Sequence, residues 1–401
     1  MLVPQLLLWT RKPERYQKSV VDLVFGDADA PGLLRGLWLF LRHHKRAFTQ
    51  VAEPIDLQEV LARFPTQTDE VIAKKVRWML LHYLARERQT VLGPVMKSPR
   101  RMRVEVMRHK TLRAAIGELA EKTKRAPRDV ERHAQKLLRE IAADLSMRAI
   151  SIYSWLLGLV FSRMYDGIEV DEEGLARVRD AMRKGPVILA PCHRSHVDYL
   201  LLSHLFYVYG LVPPHIAAGK NLSFWPMGYI FRKGGAFFLR RSFKGDPLYT
   251  AVFRTYLQKV LREGHTMEFF IEGGRSRTGK MLFPKTGLLS IVSDAVLEGQ
   301  TREVFIVPIH LGYQKIIEAG SYKKELQGGE KKKESIKGLL SVPNKVFRAK
   351  YGRVYVDFAE PIGMQAFFQS RGAVIGDNEN PVPEAQRRSL VKSLAFRITY
   401  D

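Results

Sequence analysis

The segment Ala190-Pro-Cys-His-Arg-Ser-His-Val-Asp198 packs two imidazoles, a thiol and a carboxylate into nine residues. His193 and Asp198 stand five positions apart. Inside one regular helix that spacing turns through about 500° and sets the two on different faces. Pro191, however, ends an apolar strand-like run, and Val197–Tyr209 begins a helical pattern. His193 then falls in the connecting turn and Asp198 in the first helical turn, where the chain can fold the ring onto the carboxylate. An Asp on one ring nitrogen fixes the tautomer and leaves the other nitrogen to accept a proton. That is a general base for a hydroxyl. The competing readings are a surface or capping histidine beside an N-terminal helix charge, and His196 as the base instead. Cys192 reads better as a buried thiol than as a nucleophile, since neighbours in an extended segment point opposite ways.

A second cluster, Phe270-Ile-Glu-Gly-Gly-Arg-Ser-Arg-Thr-Gly-Lys280, also follows a strand-like run. Its adjacent glycines permit a sharp turn and a close approach to a ligand. Arg275 and Arg277 can clamp a phosphate or carboxylate, although a basic surface turn has the same composition. The spacing is not that of a Walker loop. A third segment, Gly234–Gly245, ends in Arg240, Arg241 and Lys244, another candidate anion site. Jointly these segments offer one His–Asp pair and two cationic sets, suited to a phosphorylated alcohol held next to a base.

The elements that must position them change character along the chain. Residues 1–165 read as a mainly helical N-terminal region. Leu33–Phe48 is apolar with clustered basic residues, and Asp69–Arg88 repeats apolar residues at helical spacing. Lys97–Arg113 is densely basic, and Pro127 opens a helical pattern reaching about Tyr165, with acid in its first turn. From 166 to 401 short apolar runs alternate with helical ones. Val187–Pro191, Ala236–Arg240, Met267–Ile271, Val304–Leu311 and Val354–Phe358 read as strands. Val197–Tyr209, Leu248–Glu263, Thr286–Leu297 and Glu384–Ile398 read as helices. The alternation predicts an α/β fold, a β-sheet covered by helices. A parallel-type sheet would gather the three clusters on one edge. Gln327–Lys337 reads as a charged loop.

Sixty-five Lys and Arg against 41 Asp and Glu give a net charge of +24. Such a field attracts nucleic acid, anionic lipid, phosphorylated substrates or an acidic carrier protein. No nucleic-acid fold motif is recognisable, and the arginines sit in glycine turns instead of a reading helix, so no nucleic-acid partner is expected. Cys192 is the single cysteine, so no intrachain disulfide is possible, which suits the cytoplasm. The apolar Met1–Trp9 is not read as a secretory signal. No window holds the 18 or so apolar residues of a spanning helix. Ala149–Phe161 comes nearest and, flanked by Arg148 and Arg163, is either an interfacial helix or a core helix. His193, His196, His204 and His215 have no recognised ligand spacing, so no metal is expected.

The clusters, in this order, resemble the glycerolipid acyltransferase family, in particular its bacterial membrane glycerol-3-phosphate acyltransferase branch. The family's His-x4-Asp block matches His193 and Asp198. Its second block is similar to Gly235–Arg240. Its Glu-Gly-x-Arg-Ser-Arg block corresponds to Glu272, Gly273, Gly274, Arg275, Ser276 and Arg277. Its fourth, a proline in an apolar strand, is similar to Val307-Pro308-Ile309. The resemblance implies the family's mixed α/β fold. It also implies acyl transfer from acyl-CoA or acyl carrier protein to the sn-1 hydroxyl of glycerol 3-phosphate, or to lysophosphatidate or dihydroxyacetone phosphate. His193 would be the base and Asp198 its orienting partner. Arg240, Arg275 and Arg277 would hold the phosphate, helped by Arg241 and Lys244, with Glu272, Gly273, Ser276 and Pro308 completing the site. No cofactor is implied. The expected location is peripheral, on the cytoplasmic face of the inner membrane against anionic lipid. A non-catalytic basic membrane or nucleic-acid binder is the alternative if His193 does not meet Asp198. Members of this branch are often longer at both ends.

Overall fold

The computed structural model describes residues 2–8, 48–51, 54–62, 68–94, 96–243, 245–301, 303–320, 322, 349–377 and 379–400. Lys244, the expected loop 327–337 and residues 33–47 of the apolar stretch lie outside the described residues. The chain divides into two compact units. One is Met1–Ser98 with Gly210–Val212. It contains the antiparallel pair β1 (Gln5–Leu8) and β2 (Phe48–Val51) and the helices α1 (Leu57–Ala62) and α2 (Asp69–Leu92). Asp69 and Glu70 occupy the first turn of α2, where unpaired backbone N–H groups favour acid.

The other unit is Pro99–Tyr209 with Pro213–Asp401. Helices grouped with the N-terminal region on sequence therefore belong to the unit that carries the sheet. They are α3 (Pro99–Met107), α4 (Lys110–Thr123), α5 (Pro127–Ile141) and α6 (Met147–Met164). The basic stretch 97–113 is mostly helical, with Val106 and Leu112 fully buried. The single helix expected from Pro127 to Tyr165 is two helices. Tertiary hydrogen bonds make the break. The N–H groups of Asp144 and Ser146 donate to the carbonyls of Arg232 and Lys233 at 3.1 and 3.0 Å. The Arg232 guanidinium donates to the carbonyls of Ala142 and Glu140 at 2.5 and 2.6 Å.

The remaining elements alternate as expected. They are β3 (Gly167–Val170), α7 (Glu172–Lys184), β4 (Val187–Pro191), α8 (Asp198–Val208), β5 (His215–Gly219), α9 (Met227–Lys233), β6 (Ala236–Leu239) and α10 (Pro247–Arg262). Then come β7 (Met267–Glu268), α11 (Gly287–Leu297), β8 (Phe305–Tyr313), β9 (Arg353–Phe358), β10 (Ile362–Gly363), α12 (Met364–Gln369) and α13 (Glu384–Tyr400). The sheet has eight strands in the order β3-β9-β8-β4-β7-β5-β6, with β10 added on β8. Strands β8, β4, β7, β5 and β6 are mutually parallel, whereas β9 runs antiparallel to β8. The sheet is therefore mixed, as the fold class requires.

Burial explains the sequence texture. Central β4 is buried at every position, hence its unbroken apolar run, while β9 alternates exposed and buried residues. Ile188, Ala190, Met267 and Phe269 join residues of α4, α5, α10, α11 and α13 in one core cluster. The other residues on these strands face the opposite side, where α7 packs on the sheet and α8 packs on α6. Strand β5 and helix α7 are the principal elements that the short-run reading missed.

Candidate active site

The parallel strands bring their C-terminal ends to one edge of the sheet, the usual position for reactive groups in such folds. There β4 delivers His193, β7 leads into the 270–280 turn, β8 ends at Tyr313, and β6 ends before Arg240.

His193 does meet Asp198. Its Nδ1 lies 2.9 Å from Asp198 Oδ2. The same oxygen accepts the backbone N–H groups of Arg194 at 2.7 Å and Ser195 at 2.9 Å. These bonds curl residues 193–198 into a turn, which is how a five-residue spacing becomes a contact. Because Oδ2 serves as acceptor, Nδ1 is the donor, and Nε2 is left as the basic nitrogen. Asp198 is fully buried, while the His193 side chain is 14% exposed. The imidazole stacks on Phe270, with centroids 3.8 Å apart and planes at 21°.

The 270–280 turn is bound to this loop by its own residues. Buried Glu272 accepts the His193 N–H at 3.0 Å through one oxygen and the Leu282 N–H at 2.9 Å through the other. Ser276 donates its N–H to the His193 carbonyl at 2.9 Å, and its hydroxyl bonds the Lys280 carbonyl. Gly273 has φ +61°, a left-handed conformation that favours glycine here. Buried Pro308 pairs with Ala190 across the parallel β4–β8 ladder, one strand over from the segment that leads to His193.

The arginines are placed less simply. Arg275 is only 6% exposed and pairs with Glu318 at 3.2 Å, while also donating to the Tyr322 hydroxyl at 2.8 Å. Glu318 in turn accepts the Ser195 hydroxyl at 2.9 and 3.1 Å and the His196 N–H at 2.9 Å. Arg277 is half-buried in the same turn. Arg240 lies beyond β6, three strands from β4, or about 14 Å at ordinary strand spacing. It bonds Glu140 at 2.8 Å and Asp246 at 2.8 Å. Those partners, Glu140 first, hold its guanidinium above the ordinary value despite burial. Burial pushes the Glu140 carboxyl up, but hydrogen bonds from Arg240 and Lys220 outweigh it and leave it lowered. Arg241 is exposed. The structure thus joins His193, Asp198, Glu272, Gly273, Arg275, Ser276 and Arg277 in one neighbourhood and sets Arg240 and Arg241 apart from them.

Cys192 is buried against β8, its Sγ accepting the Leu311 N–H at 3.2 Å. Burial pushes the thiol up, so it stays protonated, as a structural thiol should. Three neighbours of the pair carried no signal in the sequence. Tyr313 donates its hydroxyl to Asp198 Oδ1 at 2.7 Å. Glu318 ties Arg275 to the loop, and the side-chain oxygens of fully buried Glu268 have no hydrogen-bond partner among the described residues. Burial first, then the charge of Asp198, raises Glu268 well above its ordinary value. These residues are 75 to 125 positions from His193, so no local spacing could have singled them out.

Known proteins bear on this geometry. Three family models match in order: the glycerol-3-phosphate acyltransferase PlsB N-terminal domain over 1–93, acyltransferase over 169–312, and the glycerol-3-phosphate acyltransferase C-terminal region over 322–401. A glycerol-3-phosphate acyltransferase of Shewanella baltica is 40% identical over 371 residues, 92% of this chain and 45% of that protein. One from Actinobacillus succinogenes is 38% identical, covering 91% of this chain and 44% of that protein. The chain spans somewhat under half the length of these relatives. A crystal structure of the 1-acyl-sn-glycerophosphate acyltransferase PlsC from Thermotoga maritima aligns with 68% of this chain and 79% of that one. Its TM-score is 0.30 at 16% identity, too low to bear on the fold. With its His-x4-Asp pair formed and three family models matched in order, the chain belongs to the glycerolipid acyltransferase family, in the bacterial glycerol-3-phosphate acyltransferase branch.

Proposed function

We propose that this protein is a glycerol-3-phosphate 1-O-acyltransferase, forming lysophosphatidate in the first step of phospholipid synthesis. The observation that carries the reading is the His193–Asp198 pair at the C-terminal edge of the parallel strands. His193 Nε2 takes the proton of the sn-1 hydroxyl as its oxygen attacks the carbonyl carbon of an acyl thioester. The new C–O bond forms, the C–S bond breaks, and the thiolate leaves with the proton from the imidazolium. Asp198 holds the ring in the reactive tautomer and balances the transient positive charge. Arg275 and Arg277, in the turn beside His193, hold the phosphate, and fixing both substrates lowers the entropic barrier. Arg240 and Arg241 supply a more distant cationic field. The donor is acyl-CoA or the acyl thioester of acyl carrier protein, and the proton transfer calls for no cofactor.

The site of action in this reading is the cytoplasmic face of the inner membrane, because the acyl product belongs in lipid. No helix among the described residues is long and apolar enough to cross a membrane. Helix α6 exposes Ile152, Trp155, Leu156 and Leu159, and the net charge of +24 favours anionic lipid.

The test is an assay of the purified protein with glycerol 3-phosphate and each thioester. The unaltered protein should form lysophosphatidate. His193→Ala should abolish it with the fold intact, and Asp198→Asn should lower kcat by about 10³–10⁴ with little change in KM. A fully active His193→Ala protein would sink the mechanism. Loss with His196→Ala alone would move the base to that residue.

A further inference from the structure

We infer that Tyr313 is a positioning residue for the His193 base, acting through the second oxygen of Asp198. The inference rests on the acyl-transfer reading above and deepens it.

Asp198 is divided between two sets of donors. Oδ2 takes His193 and two backbone N–H groups of its own turn. Oδ1 takes the Tyr313 hydroxyl at 2.7 Å. Among the described residues, His193 and Tyr313 provide the side chains that hydrogen-bond this fully buried carboxylate. A carboxylate held on one oxygen by a local turn can still pivot about its last torsion, whose wells are broad. A donor on the other oxygen stops that pivot. Tyr313 is suited to the task because it ends β8, the strand hydrogen-bonded to β4, which itself leads to His193. The phenol therefore couples the turn to the rigid sheet. Burial, and then the adjacent Asp198, raise the Tyr313 hydroxyl far above its ordinary value, so it remains a donor.

Other ionisable groups surround the pair. Cys192 and Arg194 lie on the same segment, Tyr199 on α8, and Tyr165 beyond α6. Glu268 lies on β7, Glu272 and Arg275 in the 270–280 turn, and Glu318 beyond β8. Removing the phenol leaves these groups in place and deletes one neutral donor. The Asp198 charge then falls more fully on the imidazole, which favours its protonated form. The buried Oδ1 also loses its partner.

The experiment compares the unaltered protein with Tyr313→Phe and with Tyr313→3-fluorotyrosine. In Tyr313→Phe, kcat for acyl transfer to glycerol 3-phosphate should fall about ten- to a hundredfold, the effect of a hydrogen bond to a charged group. KM for both substrates should hold, and the acidic limb of kcat/KM should move to higher pH. The fluorinated ring keeps the hydroxyl and makes it a stronger donor, so the limb should move to lower pH. NMR titration of the His193 ring, assigned with His193→Gln, should show the same opposite displacements. A fall in kcat with no displacement in either variant would mean a packing role and overturn the inference, as would an unchanged kcat. Should Tyr313→Phe not fold, the fluorotyrosine protein decides alone. Should the unaltered protein not acylate glycerol 3-phosphate, the acyl-transfer reading fails, and the NMR titration still decides whether Tyr313 controls His193.

Discussion

At the scale of residues, the site depends on pairs that no local spacing reveals. Arg275 shows the consequence. It reads from the Gly-Gly-Arg-Ser-Arg run as an anion clamp, yet its guanidinium is 6% exposed and bound to a Glu318 side chain that is 9% exposed. Breaking a buried pair from one side costs about 3–5 kcal/mol, because the other charge is left uncompensated. Arg275→Ala should therefore both lower stability and raise KM for glycerol 3-phosphate about tenfold or more. Adding Glu318→Gln removes the stranded charge. The double variant should recover stability in a urea melt without recovering KM. Recovery of both would make Arg275 a structural residue only.

Elements decide which faces of these residues meet water. Helix α6 was open to two readings, a core helix or an interfacial one, and it has both faces. Ile150, Ser154, Phe161 and Met164 are buried, and Ser154 bonds His204 Nδ1 at 2.8 Å. Trp155 and Leu159 are 65% and 48% exposed. An apolar side chain that is already exposed loses little on replacement. Trp155→Glu with Leu159→Glu should therefore change stability by no more than about 0.5 kcal/mol per site. It should also weaken sedimentation with anionic vesicles, binding that high salt releases. Phe161→Ala, on the buried face, should cost about 3–5 kcal/mol. Misfolding of the double glutamate variant would restore the core reading. Failure of the unaltered protein to bind anionic vesicles at low salt would remove the membrane proposal.

At the scale of the whole molecule, buried ionisable groups couple folding to pH. Desolvation, and then neighbouring His265, push His215 down from 6.5 to about 3, so it is neutral in the folded protein. In the unfolded chain it binds a proton below pH 6.5, so the unfolded state gains protons that the folded state refuses. Stability should fall by about 1.4 kcal/mol per pH unit from 6.5 downward from this group alone, and level off near 3. Urea midpoints taken between pH 7.5 and 4 check this, and His215→Phe should flatten the slope. An unchanged slope would mean that His215 is solvated. The alternation of apolar runs fixed the helix-covered sheet, because a strand buried on both faces, such as Val187–Pro191, must be apolar throughout. Pro191 and the helical pattern after it fixed the His193–Asp198 turn, since their chemistry is local. Contacts between distant segments arise only when the chain packs: Glu318 on Arg275, Glu140 on Arg240, Tyr313 on Asp198, and the Arg232 bonds that divide α5 from α6. Each joins groups 43 to 115 residues apart. Such pairings follow from strand order and packing, and a linear pattern of residue types does not encode which carboxylate will face which cation once the sheet has formed.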